Sequence, residues 1–305
     1  MRMLFGDPRA WDAGEPVALA VGVFDGVHIG HRHVLRQLVE AALADGLKPA
    51  VLTFDPHPLA LVAPELAPRM LTTIDQRMDQ LSTAGVELVA VLAFDDAVRH
   101  MAAEAFVEDI LVGAMRSELV VAGEDFRYGE NRSGDVALLL KLGPRLGFTP
   151  MTSSLIGDGE PISSTRIREA IEAGDVTAAS ASLGRSYELV GSVVPGSGRG
   201  EKMGFATANI AVATSLSIPG QGVYAVRAGV GEMVPAVANI GTRPTFGEGE
   251  EVVEVHLIDR NLDIGGDQIR VEFVERIRDE QKFSGVSELA DHIRADIAAA
   301  RLILS

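Results

Sequence analysis

Apolar and polar positions follow two different rhythms along the chain. From Val17 to about residue 183, short apolar runs alternate with longer amphipathic stretches. VALAVGV (17–23), AVLTF (50–54), ELVAVLAF (87–94), ELVVAG (118–123) and FTPMTSS (148–154) read as strands. Between them HRHVLRQLVEAALADG (31–46), IDQRMDQLSTAG (74–85), AEAFVEDILVGAM (103–115) and GDVALLLKLGPRLG (134–147) read as helices. Continuously apolar strands alternating with helices predict a parallel, Rossmann-like α/β sheet covered on both faces. Near Arg185 the rhythm changes to short alternating segments split by Gly and Pro: YELVGSVV, TANIAV, VYAVRAGV, VPAVANIG, VVEVHLID and QIRVEFV, spanning 187–274. They predict a small antiparallel barrel or sandwich, closed by a helix at SELADHIRADIAAARL (287–302). The expected division is 1–185 and 186–305.

The unusual loops fall at strand ends, where parallel sheets hold ligands. VGVFDGVHIGHRHV (21–34) runs from the first predicted strand through a Gly-rich turn into a helix. His28 and His31 thus stand at a helix N-terminus, where free N–H groups and the dipole favour a phosphate. FDPHP (54–58) and GEDFRYG (123–129) follow two further strands, so three loops converge on one edge. ISSTRIR (162–168) opens another helix. Arg166 and Arg168 in its first turn oppose the dipole unless an anion lies between them, which points Ser164, Thr165 and Arg168 at the outer phosphates of a nucleoside triphosphate.

The second half carries GFATAN (204–209). Thr207 and Asn209, two apart on a strand, share a face and offer hard oxygen ligands of the kind Mg²⁺ takes. Glu254 interrupts an alternating apolar run, which suits a general base.

The net charge of −16 works against nucleic acid and anionic membrane surfaces, and demands that a phosphorylated ligand be met locally. The chain has no cysteine, which excludes disulfides and thiolate metal sites. No leader-like or membrane-spanning apolar run appears, so a cytoplasmic location is expected. Self-association is left open.

Taken together, FDGVHIGH, TFDPHP, GEDFRYG, ISSTRIR, GFATANI, GVYAV, ANIGTRPTF, VEVHL and IRDEQKF, in this order, resemble the bacterial bifunctional riboflavin kinase/FMN adenylyltransferase family. The resemblance implies an HxGH nucleotidylyltransferase domain followed by a six-stranded riboflavin kinase barrel. It implies that riboflavin is phosphorylated by ATP to FMN, and that FMN is adenylylated by a second ATP to FAD with release of pyrophosphate. His28 and His31 would stabilise charge at the α-phosphate. Gly22, Phe24, Asp25, Gly30, Ser164, Thr165 and Arg168 would hold that ATP. Pro56, His57, Asp125, Phe126 and Tyr128 would lie on the flavin side. In the barrel, Glu254 would take the proton of the ribityl 5′-hydroxyl. Gly204, Thr207 and Asn209 would hold ATP, the last two with Mg²⁺, and Arg278 would meet the flavin.

Three departures from the family pattern, Glu201, Ala206 and the Asp263–Gly266 turn, raise an alternative: an adenylyltransferase whose barrel has weak or no kinase activity. A flavin-binding regulator, another HxGH transferase and a class I aminoacyl-tRNA synthetase fit less well. The first needs no triphosphate site. The second lacks the barrel and FDPHP. The third needs a KMSKS-type loop that this short, acidic chain does not show at a suitable place.

Overall fold

The five apolar runs of the first half form strands close to where the pattern puts them, and a sixth strand precedes them. The computed structural model describes residues 1–157, 159–194, 205, 207–243, 250–260, 268–281, 283 and 285–305. The strands are β1 (Arg2–Phe5), β2 (Val17–Val21), β3 (Lys48–Asp55), β4 (Leu88–Ala93), β5 (Ser117–Gly123) and β6 (Thr149–Ser153). They make one sheet of order β1-β4-β3-β2-β5-β6, with every pair parallel. The chain steps from β2 through β3 to β4 on one side, then returns to β5 and β6 on the other. The order therefore reverses between β2 and β5, and the loops leaving β2, β3 and β5 share one edge. That reversal is where open parallel sheets bind ligands.

Alternate residues of each strand feed two cores. Leu19, Leu52, Leu88 and Val120 face Trp11, Phe106, Leu111 and Leu139. Ala18, Val51, Val89 and Val121 face Leu35, Leu38, Met78 and Leu81. Burial on both faces explains why β2 is apolar at every position. The covering helices are α1 (Ile29–Asp45), α2 (Pro58–Val62), α3 (Ile74–Thr83), α4 (Asp96–Arg99), α5 (Ala103–Ala105) and α6 (Val136–Leu146). α5 continues directly into a π-helix, Phe106–Ala114, where a single α-helix is expected. There Met115 N–H reaches back to the Ile110 carbonyl. Apolar residues recur every four positions here (Ala103, Val107, Leu111, Met115). That spacing suits the wider helix as well as the ordinary one, so the pattern cannot separate them.

By internal contact the chain divides into two compact units, residues 1–68 with 72–163, and 69–71 with 164–305. The second unit contains helices α7 (Ser164–Glu172) and α8 (Val176–Leu183) and a closed barrel. The barrel strands are β7 (Tyr187–Val194), β8 (Ala208–Val212), β9 (Gly222–Gly229), β10 (Val234–Arg243), β11 (Glu250–Leu257) and β12 (Gln268–Arg278). Their order is β10-β11-β8-β7-β12-β9, antiparallel throughout. Closure removes the exposed edges a sandwich would leave. The last helix, α9 (Val286–Leu304), packs Ile297, Ala300 and Leu304 against Ala225, Val237 and Ile258.

Candidate active sites

The first site is built by the turn between β2 and α1. Its backbone is strained: Phe24 lies at φ 52° and Val27 at φ 38°, a region costly for a β-branched residue. Asp25, only 2% exposed, closes the turn. Its Oδ1 accepts from both the N–H and the hydroxyl of Thr72, at 3.2 Å each. The Thr72 hydroxyl oxygen accepts in turn from Gly26 N–H.

His28 is the N-cap of α1, with Nδ1 accepting from His31 N–H at 3.3 Å. A neutral His28 must therefore carry its proton on Nε2. The two imidazoles stack, with centroids 3.6 Å apart and planes at 17°. A Cβ on Gly30 would stand 3.0 Å from the His28 ring and 3.5 Å from the Ile162 carbonyl oxygen, so only glycine fits easily. Burial holds the His31 imidazole well below the usual histidine range, and the neighbouring His28 and Arg77 push it the same way. Its Nδ1 is buried without a hydrogen-bond partner.

The neighbouring loops differ in character. Gly22 N–H donates to the Leu52 carbonyl, pinning the end of β2 to β3. Pro56 is exposed and follows a cis peptide bond. His57 caps α2 by accepting from Leu59 N–H at 3.1 Å. Beyond β5, Asp125 is exposed and Phe126 half-buried. Phe126 stacks on Tyr128 at 5.3 Å, and Tyr128 rests in turn near Phe106 at 5.6 Å. Tyr128 is 5% exposed, its hydroxyl pushed up by burial. It therefore backs Phe126, and Phe126 is the ring with surface to offer. Ser164 begins α7, Thr165 and Arg166 point outward, and Arg168 is buried at 8% beside Ile167 and Ile171.

In the barrel, strand register brings separate motifs into one row. Asn209 on β8 lies opposite Glu254 on β11. Glu254 lies opposite Asn239 on β10. Asn239 lies opposite Val223 on β9, and Val223 opposite Arg278 on β12. Directly opposed residues have side chains within contact range, so five motifs contribute to one transverse line. Asn209 is 4% exposed, whereas Thr207, two residues earlier, is open to solvent. Arg278 forms a fork with Asp296 of α9, at 2.9 and 2.8 Å, and its guanidinium lies over Phe283. Gly204, Glu201, Ala206 and the 263–266 turn lie outside the described residues.

Two polar positions next to these sites are given no role by the sequence alone. Arg77 sits on the apolar stripe of α3 (Ile74, Arg77, Met78, Leu81), and a charge on that stripe was the available signal. Asn239 lies inside an alternating strand, and only the register reveals its neighbour.

Fold and sites define the class: an HxGH nucleotidylyltransferase sheet joined to a flavokinase-type β-barrel. A family model for FAD synthetase matches residues 12–166, and one for riboflavin kinase matches 183–304. The chain is 39% identical over 290 residues to the bifunctional riboflavin kinase/FMN adenylyltransferase of Escherichia coli K12, covering 94% of this chain and 92% of that one. It is 37% identical to the protein of that name from Haemophilus influenzae, covering 99% and 98%. For the one from Bacillus subtilis the figures are 36%, 91% and 89%. The chain belongs to the bifunctional riboflavin kinase/FMN adenylyltransferase family. A solved structure titled as a macrolide-efflux protein from Streptococcus pneumoniae matches with a TM-score of 0.90 at 30% identity over 99% of both chains. No helix among the described residues is long and apolar enough to cross a membrane. Both halves are matched, which favours the two-activity reading over an adenylyltransferase alone.

Proposed function

We propose that this chain makes FAD in two steps at two separate sites, phosphorylating riboflavin in the barrel and adenylylating FMN on the sheet. The functional boundary is drawn at 185/186, and the location is cytoplasmic. The reading is supported above all by the two family models, one matching each half of the chain.

In the barrel, Glu254 accepts the proton of the ribityl 5′-hydroxyl as that oxygen attacks the γ-phosphate of ATP. The bond from the γ-phosphorus to the bridging oxygen breaks and ADP leaves. The Thr207 hydroxyl and Asn209 amide oxygen are neutral hard donors. They suit Mg²⁺ that arrives with a triphosphate and keeps most of its shell from phosphate and water. That ion, when bound, neutralises charge building on the transferred group. Gly204 is proposed as a further contact to that ATP. Arg278, committed to Asp296, holds α9 over the flavin end.

On the sheet, an FMN phosphate oxygen attacks the α-phosphate of a second ATP and pyrophosphate departs. The attacking phosphate is already ionised, so no base is required. His28 donates from Nε2–H to the α-phosphate as charge grows there, and His31 completes the donor pair. The backbone from Gly22 to Gly30, with Phe24 and Asp25 shaping the turn, receives the nucleotide. Ser164, Thr165 and Arg168 hold the leaving pyrophosphate. Pro56, His57, Asp125 and Phe126, with Tyr128 behind, form the flavin side.

Substitution separates the two. His28→Ala with His31→Ala is expected to stop FMN-to-FAD conversion and spare riboflavin phosphorylation, and Glu254→Gln to do the reverse. Loss of both activities in either variant, with the fold intact, contradicts two independent sites.

A further inference from the structure

We propose that Arg77 is a positioning residue for adenylyl transfer, a buried guanidinium that ties the ends of β2 and β3 together beneath the HxGH turn. The proposal rests on the assignment of His28 and His31 above. Arg77 is 2% exposed. Its Nη1 donates to the Phe54 carbonyl at 3.2 Å and to the Thr53 hydroxyl oxygen at 3.3 Å. The Thr53 hydroxyl donates in turn to the Val23 carbonyl at 2.9 Å. One guanidinium therefore fixes the last residues of β3 and, through Thr53, the residue that enters the FDG turn.

A guanidinium is costly to bury and needs compensating charge. Two carboxylates act on it, Asp25 from the turn after β2 and Asp55 from the end of β3. These are the two loops that carry HxGH and FDPHP. Asp25 is held by Thr72, which lies just before α3, while Arg77 lies within α3. The same short segment thus grips the turn at two points.

A residue needed only to fill the α3 stripe would be aliphatic, as Ile74, Met78 and Leu81 are. The cation has a further consequence. His31 stands within its field, with His28 stacked beside it. A fixed positive charge below the turn opposes protonation of His31 and attracts the triphosphate to the rim. Beside burial, the strongest charged influences on this pair are Asp25 and Asp55 on Arg77, and His28 and Arg77 itself on His31.

The test uses the full chain with Arg77→Met and Arg77→Lys, since the kinase in the same molecule reports on the rest of the protein. FMN-to-FAD rates are measured across pH, riboflavin phosphorylation in parallel, and the His31 titration by NMR. Arg77→Met is expected to lower kcat for adenylylation about 10–100-fold, as misplacement of a reacting group does. It should also move the His31 midpoint and the acid limb of the rate profile to higher pH, with riboflavin phosphorylation unchanged. Arg77→Lys keeps the charge but loses the guanidinium that places Nη1 between the Thr53 hydroxyl and the Phe54 carbonyl, so kcat should fall while the His31 midpoint stays. Wild-type adenylylation in either variant overturns the proposal. If Arg77→Met does not fold, Arg77→Lys alone decides on the same criterion. Adenylylation that survives His31→Gln and His28→Ala would instead remove the histidine assignment. Loss in those two beside wild-type rates in both Arg77 variants would remove only Arg77.

Discussion

His28 has two duties on one ring. Nδ1 caps α1 and thereby fixes the proton of the neutral ring on Nε2, the atom proposed to donate to the α-phosphate. The ring beside it is held neutral, and this has a sign that can be worked out. An unfolded His31 titrates near the ordinary value of 6.5, whereas the folded one resists protonation. Below that pH the unfolded chain binds the extra proton, so stability falls as pH is lowered and is fully present above it. Urea titrations between about pH 5 and pH 8 should show this slope, and His31→Gln should flatten it. An unchanged slope contradicts a neutral, buried His31. In the barrel, Glu254→Gln should lower riboflavin phosphorylation by about 10²–10⁴, the usual contribution of a general base. Asn239→Ala should lower it less, because Asn239 borders Glu254 in register but does not itself accept the proton.

Elements decide whether these residues meet. Gly30 lets the His28 ring lie over the start of α1. Gly30→Ala places a methyl 3.0 Å from that ring, so adenylylation should fall while kinase activity is kept. Arg278 and Asp296 clasp α9 to the barrel as a largely buried pair. Asp296→Ala, which strands the guanidinium, should destabilise that unit by about 3 kcal/mol in a denaturant melt. The elements also show what a sequence can and cannot disclose. β2 to β5 were legible because burial on both faces makes their runs largely apolar, and the edge strand β6, with only Ser153 buried, was legible from its place after a helix in the alternation. β1 was not, since a four-residue edge strand buries only Leu4 and carries no period. The stretch 106–114 has a four-residue recurrence that does not choose between helix types. The HxGH turn and the TAN and VEV strands were readable as motifs, because their chemistry is local in sequence. Arg77 lies in no such motif, because what matters about it is a partner 24 residues away, and Asn239, though within ANIGTRPTF, shows its neighbour only through the strand register.

The whole molecule joins two phosphate chemistries in one acidic chain. With a net charge of −16, neither site can rely on the general field to gather ATP. On the proposed reading each instead supplies local compensation: a helix N-terminus above the buried Arg77 at the first site, and oxygen donors that would take Mg²⁺ at the second. Two self-contained sites predict independent behaviour. The sheet variants described above should leave riboflavin phosphorylation at the wild-type rate, and the barrel variants should leave FMN-to-FAD conversion at the wild-type rate. The most direct test of the central claim is chromatography of the flavins formed from riboflavin and Mg·ATP by the purified chain. The prediction is that FMN appears first and FAD follows at its expense. Riboflavin left unchanged, with supplied FMN still converted to FAD, would contradict the two-step account and leave a single active site on the sheet.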